Sequence, residues 1–436
     1  MSKQSEPLKI GIAGLGTVGS GTVQLLEQHR ELIASRAGRP IDVVAVSARD
    51  QAKPRPIDPN RYQWFDNPVE LAASAMIDAV IELIGGPDGA ALQTVETAIA
   101  SGKAVVTANK AMLAEHGHGL ALKAEAQGVP LLYESAIAGG IPIVKSLRES
   151  LAPNATRMVY GILNGTCNYV LTTMRDTGRD FADVLQEAQE LGYAEADPSV
   201  DVDGFDAAHK LTLLAALAFG GRPNLAAVHI EGIRQIAAID VAFADELGYR
   251  IKLLGLARMT EHGLEQRLHP CLVAKSTPIA SIEGVLNAVV VDAEPVDNVV
   301  HEGRGAGAGP TASAVVADIM DLARGTRLPV FGVPAASLKD HPISPMGAHS
   351  GCYYIRMNVI DQPGVMADVA AVLRDHEVSI ASLIQRGRNL GQAVPIVLTT
   401  HRCTEAALQA AIKEIAALGP VQEMPNIIRI EQFGAE

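Results

Sequence analysis

Leu8-Lys9-Ile10-Gly11-Ile12-Ala13 is followed at once by Gly14-Leu15-Gly16-Thr17-Val18-Gly19, and then by a helical pattern over residues 18–30. The first six residues form a short apolar run of the kind that makes a buried strand. The next six are G-x-G-x-x-G in the strand-to-helix setting that gives this motif its meaning. Gly14 permits the tight turn, Gly16 lets the backbone approach a pyrophosphate, and Gly19 lets the helix pack closely on the strand. The helix N-terminus attracts the anion. This stretch therefore sets the expectation of a dinucleotide-binding unit.

The residues that follow extend the same pattern. Apolar runs at 41–46, 79–84, 104–107 and 130–133 alternate with helical stretches at 90–101 and 113–127. That alternation predicts an α/β fold with an N-terminal Rossmann doubly wound parallel sheet. An acidic residue at the end of the second strand would hold the ribose of NAD. Here the strand ends Ser47-Ala48-Arg49, with Lys53 and Arg55 beyond. Cations suit a 2′-phosphate and favour NADP over NAD, unless these residues are only a solvated loop. Gly85-Gly86 ends the third strand, where backbone can approach a cofactor. Thr107-Ala108-Asn109-Lys110 ends the fourth, and ligands of open parallel sheets bind at that end. A cation at a helix start opposes the dipole, so Lys110 is a candidate functional residue rather than a plain surface lysine.

Residues 134–142, Glu-Ser-Ala-Ile-Ala-Gly-Gly-Ile-Pro, break the alternation. Such a loop either coordinates a hard cation through oxygen atoms or simply turns the chain. From residue 153 the pattern changes to a strand at 156–163, the Asn164-Gly165-Thr166 loop, and helices at 169–175 and 181–191. Residues 188–210 then hold Glu190, Glu195, Asp197, Asp201, Asp203 and Asp206 before Lys210, and an apolar helix follows at 211–219. Charge leading into a buried helix must be solvated, paired or used. Asp206 and Lys210 share one helical face, and taken alone they read as a surface ion pair. Strand-like segments at 226–230 and between 251 and 291 predict a second sheet. Residues 303–309 are glycine-rich and lead into a helix at 311–324 that is expected to return to the first domain.

The expected organisation is a Rossmann domain at 1–140, completed by about 310–340, and a central α+β catalytic and dimerisation domain at 141–310. A linker at 325–351 then leads to 352–436. The last segment reads βαββαβ, a small ferredoxin-like domain suited to ligand sensing.

Composition narrows the function classes. The chain has 436 residues, 48% hydrophobic and 19% charged, with a net charge of -13. That balance argues against a nucleic-acid or anionic-membrane partner. The longest apolar run, 211–219, is too short to span a bilayer. The polar residues 1–7 lack the apolar stretch of a secretion signal. Cys167, Cys271, Cys352 and Cys403 are far apart, which argues against zinc or disulfides and fits a reducing cytoplasm.

Taken together, these segments resemble the homoserine dehydrogenase family, in its bacterial form with a C-terminal ACT domain. The most specific part is residues 192–210, from Gly192-Tyr-Ala-Glu195 through Asp201 and Gly204 to Asp206 and Lys210. Lys110, the Glu134 loop, Asn164-Gly165-Thr166 and the late glycine-rich loop fall in the family's order, and Asp361-x-Pro-Gly364 resembles an ACT opening. The resemblance implies NAD(P)-dependent interconversion of L-aspartate 4-semialdehyde and L-homoserine, on the way to threonine, methionine and isoleucine. It implies that Lys210 is the proton donor, assisted by Asp206, and that Glu195 binds the substrate ammonium with Asp201 in support. Lys110 would lie between cofactor and substrate. The cofactor would meet Gly14, Gly16, Thr17, Val18, Gly19, Arg49, Gly85, Lys110 and Gly309. Glu134, Ile137, Gly139 and Ile141 match a sodium site, the last three through backbone carbonyls. L-threonine or a related end product is the implied ACT effector, and a homo-oligomer, dimer or tetramer, the implied assembly. The rival readings are another Rossmann amino-acid dehydrogenase or reductase, and a non-catalytic nucleotide and amino-acid sensor.

Overall fold

The computed structural model describes residues 6–386 and 391–433. The chain divides into two compact units. The first comprises Met1–Gly165, Asp206–Val228 and Leu286–His341. The second comprises Thr166–Phe205, His229–Val285 and Pro342–Glu436. Among the described residues no helix is long and apolar enough to cross a membrane.

The first unit is built on β1 (Leu8–Ala13), β2 (Ile41–Ser47), β3 (Gln63–Phe65), β4 (Ala79–Glu82), β5 (Ala104–Thr107) and β6 (Leu131–Leu132). They form a sheet in the order β3-β2-β1-β4-β5-β6 with every pairing parallel. The chain winds outward from β1 to β3, then restarts at β4 and winds the other way. The switch point is therefore between β1 and β4, and a ligand crevice is expected outside their carboxyl ends. Ile10, Ile12, Ile81 and Val106 are fully buried in this core. Each such side chain contributes roughly 1.5–3 kcal/mol of burial.

Helices α1 (Thr17–Gln28), α2 (Arg30–Ala37), α3 (Pro68–Ala73), α4 (Ala90–Ala100) and α5 (Lys110–Gln127) flank the sheet. The sequence led to one helix over 18–30, but α1 stops at Gln28 and α2 restarts at once. Helix α2 has too few apolar residues in period to announce itself. The late helix Ala308–Arg324 returns to this core, where it packs on α1 and buries Val315, Val316 and Ile319. Three antiparallel strands, Ala155–Ile162, Leu286–Glu294 and Asp297–Arg304, complete the unit's sheet structure.

In the second unit, Tyr249–Thr260 and Gly263–Ala274 form a long antiparallel hairpin. The strand expected at 226–230 is reduced to His229–Ile230, because Leu225–Ala227 closes a 3-10 turn first. The C-terminal βαββαβ order is present: Ser350–Ile360, Val365–Asp375, Ile380–Gln385, Ala393–Thr400, Glu405–Ala416 and Asn426–Glu431. Its last strand pairs in parallel with Gly263–Ala274, Cys271 opposite Arg429 and Val273 opposite Glu431. The small domain therefore continues the central hairpin's sheet.

Buried charge lines that junction. Arg429 donates from Nε, Nη1 and Nη2 to Glu405 and Glu231 at 2.7–3.0 Å. Arg267 pairs with Glu431 at 2.6 Å, and His349 with Glu265 at 3.0 Å. Asp240, fully buried, accepts from Tyr354, Arg356 and Asn426.

Candidate active site

The strand-to-helix turn after β1 has the geometry that the glycines require. Gly14 sits at φ 104°, and a Cβ there would lie 2.5 Å from the Leu83 carbonyl oxygen. A Cβ on Gly16 would meet no atom within 4 Å, so the N-terminus of α1 is open to a ligand. Thr17, Val18 and Gly19 form the first turn of α1. Gly309 lies in the first turn of Ala308–Arg324, whose Ala308 approaches Gly21 of α1. The residues thus fit a dinucleotide: an open helix N-terminus supplies backbone donors to its phosphates.

At the end of β2, Arg55 and Arg49 differ. Arg55 is committed to the protein: it donates to the carbonyls of Leu15, Gln51, Lys53 and Asp50 and stacks on Trp64. It braces the glycine loop and is not free for a ligand. Asp50 turns its carboxylate onto the Ala52 amide at 2.8 Å. Arg49 is exposed and has no hydrogen-bonded or ionic partner among the described residues.

Lys110 begins α5, directly beyond β5. Its ammonium lies 3.1 Å from Asp206 Oδ1. Asp206 stands in the first turn of Phe205–Phe219, where a carboxylate suits the helix dipole. Its Oδ2 accepts from Lys210 Nζ at 2.6 Å and from Asn164 Nδ2 at 3.0 Å. Lys210 also donates to the Leu163 carbonyl at 2.8 Å. Asp206 and Lys210 are each 8% exposed, so this is a buried cluster and not a surface pair. Burial alone would raise the Asp206 pKa. The ammonium groups of Lys210 and Lys110, with the Lys210 and Asn164 hydrogen bonds, outweigh it and hold the carboxylate well below its ordinary range. The cluster carries two cations and one anion. An ammonium has three donors, and these contacts use two of those on Lys210. A surplus of positive charge with a donor to spare is suited to an oxygen on which negative charge develops.

Sequence reasoning placed Asn164 in a recognisable loop but gave it no task. Its bond to Asp206 links residues far apart in the chain, and no local spacing announces it.

In the second unit, Glu195 is exposed between two helices, and Gln189 holds its backbone carbonyl at 3.0 Å. Asp201 lies in the short helix Ser199–Val202, with its carbonyl oxygen accepting from the Cys167 thiol. Asp197 accepts the Ser199 amide, and Asp203 pairs with Arg234. Asp197 serves the loop itself, and Asp203 ties it to Arg234.

In the Glu134 loop the carboxylate is engaged by backbone amides. Glu134 is 2% exposed, and its two oxygens accept the amides of Val144 and Lys145 at 2.9 and 2.8 Å. Burial, aided by the nearby Asp318 charge, pushes its pKa up to about 7. Gly139 at φ 56° brings the turn within 2.2 Å, for an added Cβ, of the Gly305 carbonyl oxygen. Of the backbone oxygens expected at a cation site here, that of Ile141 accepts the Ile143 amide at 2.8 Å.

A switch point between β1 and β4, an open helix N-terminus and a lysine–aspartate cluster at the end of β5 fit an NAD(P)-dependent oxidoreductase acting on a CH–OH group, the class that the chain's relatives establish. Models of the homoserine dehydrogenase NAD-binding domain, homoserine dehydrogenase itself and the ACT domain match residues 14–134, 142–320 and 353–420. A homoserine dehydrogenase of Pseudomonas aeruginosa is 45% identical over 98% of this chain and all of its own. The crystal structure of a homoserine dehydrogenase from Thiobacillus denitrificans superposes with a TM-score of 0.93 at 44% identity, covering 99% of both chains. A hyperthermophilic archaeal homoserine dehydrogenase mutant in complex with NADPH shares the fold, with a TM-score of 0.64 at 24% identity, over 74% of this chain and 99% of its own. The chain belongs to the homoserine dehydrogenase family.

Proposed function

We propose that the Lys110–Asp206–Lys210 cluster performs the interconversion of L-aspartate 4-semialdehyde and L-homoserine. The observation that carries this reading is the buried 2.6 Å contact of Asp206 with Lys210, together with the 3.1 Å contact of Asp206 with Lys110 at the end of β5. When bound, the nicotinamide cofactor supplies or accepts the hydride. As negative charge grows on the aldehyde oxygen, the Lys210 ammonium donates a hydrogen bond and then its proton. Asp206 fixes that ammonium, and Lys110 adds a second positive charge. In the reverse direction Lys210 takes the hydroxyl proton. Glu195, with Asp201 in support, receives the substrate ammonium on the family resemblance. Initial rates with L-aspartate 4-semialdehyde against other short oxo acids test the reading. Equal or faster turnover of another oxo acid would overturn it.

NADP is the preferred cofactor in this proposal, because Arg49 is uncommitted while Asp50 is turned away. Arg49→Ala should raise the KM for NADP several-fold, about 1 kcal/mol of an exposed charge-assisted contact, and leave that for NAD unchanged. Sodium binds the 134–141 loop through its carbonyls, and activity independent of sodium against a large organic cation would remove it. L-Threonine or a related end product binds at the Asp361–Gly364 turn, where a surface groove is lined by Asp361, Gly364, Met366 and Gln385. Removing the domain at Ser350 would strip Asn426–Glu431 from the central hairpin. Asp361→Ala is therefore the better variant, and inhibition unchanged by it would count against the site. The enzyme assembles as a homo-oligomer, and a monomeric mass by light scattering would contradict that.

A further inference from the structure

The carboxyl ends of β4 and β5 carry a hydrogen-bonded knot that the reaction as described leaves unused. Glu82 is fully buried. One carboxylate oxygen accepts the Ile84 amide at 2.6 Å, and the other accepts the Thr107 hydroxyl. The Thr107 oxygen in turn accepts the Asn109 amide at 3.0 Å. The Asn109 side chain donates to the carbonyls of Ile84 and Gly86 at 3.2 and 2.7 Å. Its own side-chain oxygen caps α5 by accepting from Met112. The ring of contacts therefore ties residues 84–86 to residues 107–110, and Glu82 stands at its centre.

A carboxylate in such a place is costly. Burial pushes its pKa up to about 7, against hydrogen bonds from Thr107, Ile84 and Asn109 that favour the charged form. An apolar side chain would fill the same space without that desolvation cost. What an apolar residue would not do is accept one donor from each of two loops. One of those loops is the Gly85-Gly86 turn at the switch side of the sheet. The other ends in Lys110, whose ammonium meets Asp206.

We propose that Glu82 is a positioning residue for hydride transfer: through Ile84 and Thr107 it holds the Gly85-Gly86 backbone and the Lys110 turn in fixed register. This rests on the proposed role of Lys110 at the reacting end. Displacement of one loop against the other would leave cofactor binding at the α1 phosphate site intact and misalign the reacting groups.

The test uses the full-length protein with Glu82→Gln, Thr107→Val and Thr107→Ser. Reads are kcat and KM for L-homoserine, NADPH affinity by fluorescence titration, and melting temperature. Glu82→Gln and Thr107→Val are expected to lower kcat by about tenfold or more, as small misplacements do. NADPH affinity should stay within about threefold, because the phosphate site at the α1 N-terminus is untouched. Thr107→Ser keeps the hydroxyl and should recover kcat to within about threefold of the parent, and the Glu82→Gln/Thr107→Val pair should fall no further than the worse single variant. If Glu82→Gln does not fold, the Thr107 pair decides alone. Equal kcat in the Val and Ser variants, or parental kcat in Glu82→Gln, would overturn the proposal. A parent enzyme inert towards homoserine would instead sink the proposed reaction.

Discussion

Two buried charge clusters, one in each unit, are built from similar parts to opposite ends. Around Arg429, one guanidinium is shared by two carboxylates, and all of its nitrogens are bonded. Around Asp206, one carboxylate is shared by two lysines. The first cluster has negative charge in excess and a guanidinium that does not release a proton. The second has positive charge in excess and ammonium groups that do. Arg429 places four of its five N–H donors on carboxylates, so it holds strands together. The Asp206 cluster keeps donors unspent, so it is fit for a reacting oxygen. Depth of burial does not separate the two; the balance of donors and acceptors does.

Three changes would break or sharpen that contrast. The largest effect is expected for Asp206→Asn. Without the carboxylate, Lys210 keeps only the Leu163 carbonyl for guidance, and kcat should fall about 10²-fold or more, on the scale of a lost acid–base partner. Its melting temperature should fall as well, because Lys210 is left buried without its counter-charge. Next is Arg429→Met, which leaves Glu405 buried without a cation and the half-buried Glu231 with His229 alone. Breaking such a pair costs roughly 3–5 kcal/mol, seen as a clear fall in melting temperature. The kcat of the folded fraction should stay near parental. A variant that melted normally but turned over slowly would merge the two clusters' roles.

The smallest effect is a pH dependence. Burial raises the pKa of Glu231, but hydrogen bonds from His229 and Arg429 prevail and lower it to about 2. Glu265 is likewise lowered to about 2, burial being outweighed by His349, Arg267 and Arg258. A depressed folded-state pKa gives stability that is fully present above the unfolded value of 4.5 and is lost as pH falls towards 2. Melting temperatures should therefore decline through that window, and Glu231→Gln should flatten the decline. An unaltered slope in that variant would mean that other carboxylates dominate acid unfolding.

Much of this was legible in the sequence where the signal is local. The Leu8–Gly19 stretch announced strand, turn and helix because apolar run and glycine spacing are contiguous. Asp206 and Lys210 announced each other by helical spacing, and the βαββαβ order of the C-terminal segment was readable from alternation. The Arg429 cluster was not. Glu231, Glu405 and Arg429 meet only because Asn426–Glu431 pairs with Gly263–Ala274, and register between distant strands leaves no periodic trace. Arg55 misled for a related reason: a cation in a polar loop looks free, yet its guanidinium is spent on four carbonyls. Glu82 was hidden inside an apolar strand, where a single acid reads as a strand end. The amides of Val144 and Lys145 that the Glu134 carboxylate accepts carry no side-chain signature either.

The central claim is that Lys210 is the proton donor, held by Asp206 and separate from cofactor binding. The direct measurement is turnover of L-homoserine by full-length Lys210→Ala, alongside titration of the same protein with NADPH. Loss of turnover by about 10²–10⁴-fold, the span of general acid–base catalysis, with NADPH binding preserved is the predicted result. Near-parental turnover in a variant that binds NADPH would contradict it.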